Sequence, residues 1–187
     1  MKHKTLWFIA VFPPGDIAEK IRAIQHEIAD RFGPRRILKI PVHLTLEPPF
    51  RYDEQYESEM SAGLEKFFST HPGFSLELRN FGSFRDDVVF IEVAPSLPLL
   101  ELHAELSAFL REKTSIVTGS PWHGGYTPHI TVANRDVTPA AHERIWREFN
   151  TRKFFAEFPV SDVVLLRHDE VEKMWRVHRR FPLLKSP

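Results

Sequence analysis

Apolar and polar positions alternate along the chain with periods that change from segment to segment. Leu6-Trp7-Phe8-Ile9-Ala10-Val11-Phe12 is a short apolar run ended by Pro13-Pro14-Gly15, and it predicts a buried strand. Asp16 can then cap a helix in which Ile17, Ile21, Ile24 and Ile28 recur at helical spacing, with Gly33-Pro34 as the stop. The pattern predicts a strand over 36–46 and a second amphipathic helix over 53–69, carrying Tyr56, Met60, Leu64, Phe67 and Phe68. Apolar segments at 74–78 and 88–93 flank the turn-like Arg85-Asp86-Asp87 and predict a hairpin.

The order then repeats. The run from Val89 to Pro95 resembles that from Trp7 to Pro13 at an offset of 82. A helix with Leu99, Leu102, Leu106, Phe109 and Leu110 follows, then a strand around Ile130, a helix over 139–149, and a closing hairpin of 160–167 and 174–183. Such self-similarity predicts one bilobal domain over 1–187 with pseudo-repeats of about 5–87 and 88–183. Hairpins imply antiparallel pairing. The expected class is α+β, with two antiparallel sheets facing a central cleft and helices packed outside.

Composition narrows the chemistry. The 187 residues include no cysteine, which excludes a disulfide framework, a thiolate nucleophile and a sulfur-based zinc site. Twenty-five basic residues balance twenty-five acidic ones, so no global field draws the chain onto a polyanion or a membrane. The apolar run from Leu6 to Pro14 is far short of the ~20 residues of a membrane span and lacks a small-residue cleavage site. A soluble, cytoplasmic, monomeric protein is expected. Among the 15 prolines, Pro13-Pro14, Pro41, Pro48-Pro49, Pro121, Pro128 and Pro182 fall between or at the ends of the periodic segments and act as punctuation.

At corresponding places in the two halves stand Val42-His43-Leu44-Thr45-Leu46 and Pro128-His129-Ile130-Thr131-Val132, 86 residues apart (129 minus 43). On a strand, His43 and Thr45 point one way while Leu44 and Leu46 point the other, and His129 and Thr131 do the same. Each half therefore offers an imidazole and a hydroxyl from one face. Imidazole titrates near ~6.5, so one ring can be neutral and the other protonated. Opposed acid and base suit in-line displacement at phosphorus, with the threonine hydroxyls donating to non-bridging oxygens. That chemistry requires neither metal nor cofactor.

At these residues the sequence resembles the two-histidine (2H) phosphoesterase superfamily, which includes 2′-5′ RNA ligase-like proteins and cyclic nucleotide phosphodiesterases. The resemblance covers nearly the whole chain. It takes in Phe8-Ile9-Ala10-Val11 before Pro13-Pro14, both H-x-T motifs, Tyr126-Thr127-Pro128, and the closing strand from Trp175. It implies a bilobal α+β fold with both motifs in a cleft, and metal-free cleavage of 2′,3′-cyclic phosphates or related phosphodiesters of nucleotides or RNA ends. It also implies His43 and His129 as the catalytic pair and Thr45 and Thr131 as phosphate holders. Where many members continue with an apolar residue and a glycine, this chain has Glu47-Pro48-Pro49-Phe50.

Other positions follow from parity and composition. Alternation puts Glu47 on the face of His43, where a carboxylate would raise the His43 pKa and make it the general acid, unless the prolines turn Glu47 outward. Arg135 shares parity with His129 and can approach a substrate phosphate; Lys39 lies on the His43 side of a straight strand. Phe12, Trp122, Tyr126 and Trp175 are candidates to stack a base. His123 and His129 lie six apart, but no carboxylate or third histidine stands near them to complete a metal site. From Arg144 to Pro187 ten Lys/Arg face six Asp/Glu, a net of +4 that could guide RNA. The competing readings are an RNA- or nucleotide-binding protein with 2′-5′ RNA ligase-like activity, and a metal-dependent hydrolase.

Overall fold

The structure, a computed structural model, describes residues 4–114 and 125–185. Eight strands and four helices follow in the order β1 (Lys4–Val11), α1 (Gly15–Phe32), β2 (Leu44–Asp53), α2 (Glu57–Phe68), β3 (Phe74–Phe84), β4 (Val88–Val93), α3 (Leu97–Thr114), β5 (His129–Ala133), α4 (Pro139–Phe149), β6 (Phe155–Val160), β7 (Asp162–Asp169) and β8 (Met174–Pro182). Trp122 and His123 lie outside the described residues. No helix among the described residues is long and apolar enough to cross a membrane.

The α+β class holds, but the two facing sheets do not. All eight strands join one sheet in the order β6-β3-β4-β5-β2-β1-β7-β8, and every neighbouring pair is antiparallel. The cause lies at the centre, where the two motif strands β2 and β5 pair directly, Leu44 opposite Ile130. That pairing welds what local patterning predicted as separate sheets. β3 follows α2 in sequence yet pairs with β4 and β6, while β7 returns to pair with β1. Strands from the two sequence pseudo-repeats thus interleave in the one sheet.

The helices cover one face of the sheet. Ile21 of α1, Leu64 of α2, Leu106 of α3 and Ile145 of α4 are buried in one core with Ile9, Leu44, Ile91, Ile130 and Leu165. Alternation sends the intervening residues to the opposite face, where Phe8, Ala10, Val164, Leu166 and Trp175 form a smaller cluster. That second face carries the chemistry.

Several local readings need correction. Pro14, and not Asp16, is the N-cap of α1; Asp16 lies in the first turn, where a carboxylate favours the helix dipole. Gly33 does end α1, taking φ 104° and donating its N–H to the Ala29 carbonyl. Residues Arg36–Lys39 form a 3-10 turn and not a strand, which removes the parity argument for Lys39. The Asp136 carboxylate accepts from the backbone N–H groups of Arg35 (2.8 Å) and Arg36 (3.1 Å), pinning that turn to the chain leaving β5. The predicted second helix begins later, at Glu57, because β2 runs on through Pro48 and Pro49 to Asp53 and Glu54–Tyr56 form a 3-10 turn. Only Leu44 of β2 pairs with β5, so prolines beyond it cost no ladder bonds on that side. β6 was not legible as a strand: its exposed Phe155 and Pro159 blur the alternation that pairing with β3 supplies.

Candidate active site

Both histidines are built the same way. His43 immediately precedes β2, and its Nδ1–H donates to the Pro41 carbonyl at 2.7 Å. His129 opens β5, and its Nδ1–H donates to the Thr127 carbonyl at 2.7 Å. A carbonyl can only accept, so in each neutral ring Nδ1 holds the proton and Nε2 carries the lone pair. Each ring also rests on aromatic neighbours: Phe8 at 5.0 Å from His43, and Phe90 at 5.1 Å and Phe84 at 5.0 Å from His129. Phe8 and Phe90 are related by the 82-residue offset of the sequence repeat.

The register brings the motifs together. Leu44 and Ile130 pair and are both buried under the helices, so their neighbours His43, Thr45, His129 and Thr131 lie on the other face. Antiparallel order sets Thr131 across from His43 and His129 across from Thr45. The two histidines then stand on a diagonal, at a Cα spacing of about 7–8 Å. They sense each other: the His129 charge lowers the His43 pKa. Thr45 and Thr131 are half-buried. The four motif residues thus share one face at the junction of the two strands.

Burial is the largest influence on both rings. It pushes His43 down to about 4, partly offset by the Pro41 carbonyl and reinforced by the charges of His129, Arg22 and Arg135. Burial lowers His129 as well, with the Thr127 carbonyl opposing. Arg135, exposed and held at φ 67° just after β5, is therefore near enough to act on His43 electrostatically. Arg22 escaped the sequence reading. Its Nη2 donates to the Ile40 carbonyl at 2.7 Å, while Nη1 is buried without a hydrogen-bond partner among the described residues. On the sequence it is one polar residue of an amphipathic helix, and nothing local marks its approach to His43.

Glu47 overturns its expected role. Ile9 of β1 pairs with Glu47 while Ala10 pairs with Thr45, so Leu46 is an extra residue and β2 bulges there. The bulge reverses the alternation. Glu47 joins Ile9 on the helix side, 2% exposed, where Ser107 Oγ of α3 donates to its Oε2 at 3.3 Å. Burial raises its pKa to about 7, opposed by Ser107 and by the Arg111 charge. Glu47 does not contribute to the His43 pKa, which moves down and not up.

The aromatic candidates divide. Tyr126 donates its hydroxyl to the Thr45 carbonyl at 2.9 Å and stacks on His103 of α3 at 3.7 Å with planes 7° apart. Its hydroxyl is thus committed to holding the segment before His129 against β2. Phe12 packs on the cluster around Phe8 with Arg180 over its ring, and Trp175 meets Phe8 edge-on at 4.5 Å. Both read as support for the site's floor.

Two of the depressions differ in how they relate to the motifs. One of about 190 Å³ opens beside the motifs, lined by Thr45, Glu47, His103, Ser107, Tyr126 and His129 among others. A larger one, about 480 Å³, lies at the β7–β8 hairpin, away from the motifs. Its Arg167, Arg176 and His178 are already paired with Glu54, Asp169 and Glu57. Paired cations leave little net field for RNA, so the size of that hollow is a poor guide to the chemistry. Among the described residues no group of three or more His, Asp or Glu is placed to hold a metal ion.

Comparisons with known proteins agree with this geometry. The chain is 28% identical over 176 residues to a candidate phosphoesterase of Geobacillus sp. strain WCH70, covering 92% of this chain and 93% of that one. A candidate phosphoesterase of Bacillus pumilus is 27% identical over 177 residues, covering 94% and 95%. Among solved structures, TT0787 of Thermus thermophilus shares the fold with a TM-score of 0.69 at 21% identity, covering 97% of this chain and all of that one. Escherichia coli LigT complexed with 3′-AMP shares it with a TM-score of 0.68, also at 21% identity, covering 96% and 98%. The sequence profile of the 2′-5′ RNA ligase superfamily matches residues 13–172, which include both H-x-T motifs and the strands that carry them. This chain belongs to the 2′-5′ RNA ligase superfamily of 2H phosphoesterases.

Proposed function

We propose that the protein is a metal-independent phosphodiesterase that opens 2′,3′-cyclic phosphates, or related phosphodiesters of nucleotides and RNA ends, by two-histidine acid–base catalysis. The observation that carries this is the Leu44–Ile130 register, which sets two Nδ1-anchored imidazoles on one diagonal with a threonine across from each. A phosphate lying between them meets a hydroxyl on either side. Thr45 and Thr131 donate to its non-bridging oxygens, and the charges of Arg22 and Arg135 favour the anion.

Burial and neighbouring positive charge are our basis for dividing the roles. His43 feels three cationic neighbours and stays neutral, so it takes a proton from water as the water oxygen bonds to phosphorus. The bond from phosphorus to the ribose 2′- or 3′-oxygen breaks, and that oxygen receives a proton from His129. The product is a nucleoside monophosphate, and proton exchange with solvent resets the pair. This reverses the assignment that a carboxylate at Glu47 would have imposed.

The expected pH dependence follows directly. A base works above its pKa and an acid below its own. For free enzyme, kcat/KM should therefore rise as pH passes about 4, where His43 loses its proton, and fall as His129 loses its proton below the ordinary ~6.5. The optimum lies on the acid side of neutrality. Steady-state hydrolysis of 2′,3′-cyclic nucleotides in EDTA across pH 3–9 tests this. Activity lost to chelator and restored by a divalent ion, or a plateau extending past pH 8, would contradict it.

The threonines should matter less than the histidines. Thr45→Val and Thr131→Val each remove one donor to an anion while keeping a β-branched shape, and each should lower kcat/KM by about 10- to 10²-fold. Equal rates for wild type and both variants would leave the phosphate held elsewhere.

A further inference from the structure

β2 and β5 share only the Leu44–Ile130 pair, so beyond Thr45 the two strands part. The gap is closed by the segment before His129 and by one face of α3, where His103, Ser107 and Arg111 recur every fourth residue. The 190 Å³ pocket sits there, sharing Thr45 and His129 with the motif face. At about 190 Å³ it has room for a planar ring system.

Glu47 is the unusual wall. It is 2% exposed, it makes no ion pair among the described residues, and its one hydrogen bond is the 3.3 Å contact from Ser107. A buried carboxylate normally has its charge paired and its lone pairs occupied. Here Oε1 and the rest of Oε2 can accept from a guest. His103, whose pKa burial lowers, and Tyr126 supply stacked aromatic rings beside it.

Building on the function proposed above, we propose that this pocket is a nucleobase subsite selecting the Watson–Crick edge of guanine, with the Glu47 carboxylate accepting from its N1–H and N2–H. Guanine alone among the four bases presents two adjacent donors there. Adenine and cytosine offer one donor beside a ring-nitrogen lone pair, which repels the second carboxylate oxygen. Uracil offers one donor flanked by two carbonyls. With the base against Glu47, the ribose passes Thr45 and His129 and the phosphate reaches the histidine diagonal.

The test measures binding by calorimetry at pH 8, above the Glu47 pKa of about 7, so the carboxylate is ionised and the result does not depend on turnover. Guanosine 3′-monophosphate should bind about 10- to 10²-fold more tightly than the inosine nucleotide, which lacks the N2 amino group, the range for a hydrogen bond to a charged group. The adenosine nucleotide should be weaker to a similar degree. Glu47→Gln keeps the shape and removes a desolvated charge; it should abolish the guanosine–inosine difference and leave adenosine binding within about twofold. Ser107→Ala retains the carboxylate and should retain the preference. Equal affinity for guanosine and inosine nucleotides in wild type would overturn the subsite, even if Glu47→Gln failed to fold. Guanosine-selective binding without hydrolysis of any 2′,3′-cyclic nucleotide would remove the phosphodiesterase reading and leave the subsite. Hydrolysis with no base preference in binding would do the reverse.

Discussion

His43→Ala and His129→Ala should each lower turnover of a 2′,3′-cyclic nucleotide by ~10²–10⁴, the range for a positioned general acid or base. The loss should appear mainly in kcat, because the imidazoles act on protons in transit and not on the bound phosphate's resting charge. The double variant should be little worse than either single one, since base and acid serve one displacement and the loss of either stalls it. Both variants should fold: each ring donates a hydrogen bond to a carbonyl two residues back, in Pro41 and Thr127, and contributes nothing to the strand ladder. Circular dichroism alongside steady-state kinetics checks both statements. Folded His43→Ala or His129→Ala protein with wild-type kcat would end the acid–base assignment.

The second large effect is expected at a residue that touches no substrate. Gly82 pairs with Phe90 across β3 and β4, and a Cβ there would come within 2.5 Å of Phe90 Cζ. The Phe90 ring cannot easily swing aside, because it is 5% exposed and wedged between Phe84 at 4.2 Å and His129 at 5.1 Å. Gly82→Ala should therefore destabilise the fold by about 1–3 kcal/mol through overpacking. It should also displace the His129 ring. A misplacement of about 1 Å can cost ~10² in rate, so kcat should fall by on the order of 10–10². Phe90→Leu in the same chain makes room at the ring edge and should recover much of the lost Tm. Wild-type Tm and kcat in Gly82→Ala would show that Phe90 does not position His129.

Elements whose signal is local were legible along the chain. α1 between its core-facing isoleucines and Gly33, α4 from Pro139 to Phe149 with Thr138 as its cap, and the β3–β4 turn at Arg85-Asp86-Asp87 each rest on side-chain periodicity or on one backbone conformation. The candidate site was legible for the same reason. An H-x-T on a strand puts His and Thr on one face whatever else the chain does, and its recurrence 86 residues later signalled that the faces belong together. The role of Glu47 was not legible, because alternation counts residues while the bulge at Leu46 inserts one; only pairing with β1 reveals the extra residue. Arg22 was equally silent, since a helix pattern says which side is polar and not which distant side chain it will meet.

The sequence by itself therefore determined the identity and facing of His43, Thr45, His129 and Thr131, along with the helices and the class of fold. Tertiary structure alone decided that eight strands form one sheet, that β2 and β5 meet at Leu44 and Ile130, and that Glu47 leaves the histidines for a pocket under α3. The physical reason is range. Periodicity and capping act within a few residues, whereas strand pairing and bulges are set by backbone hydrogen bonds between segments that the chain's order leaves far apart.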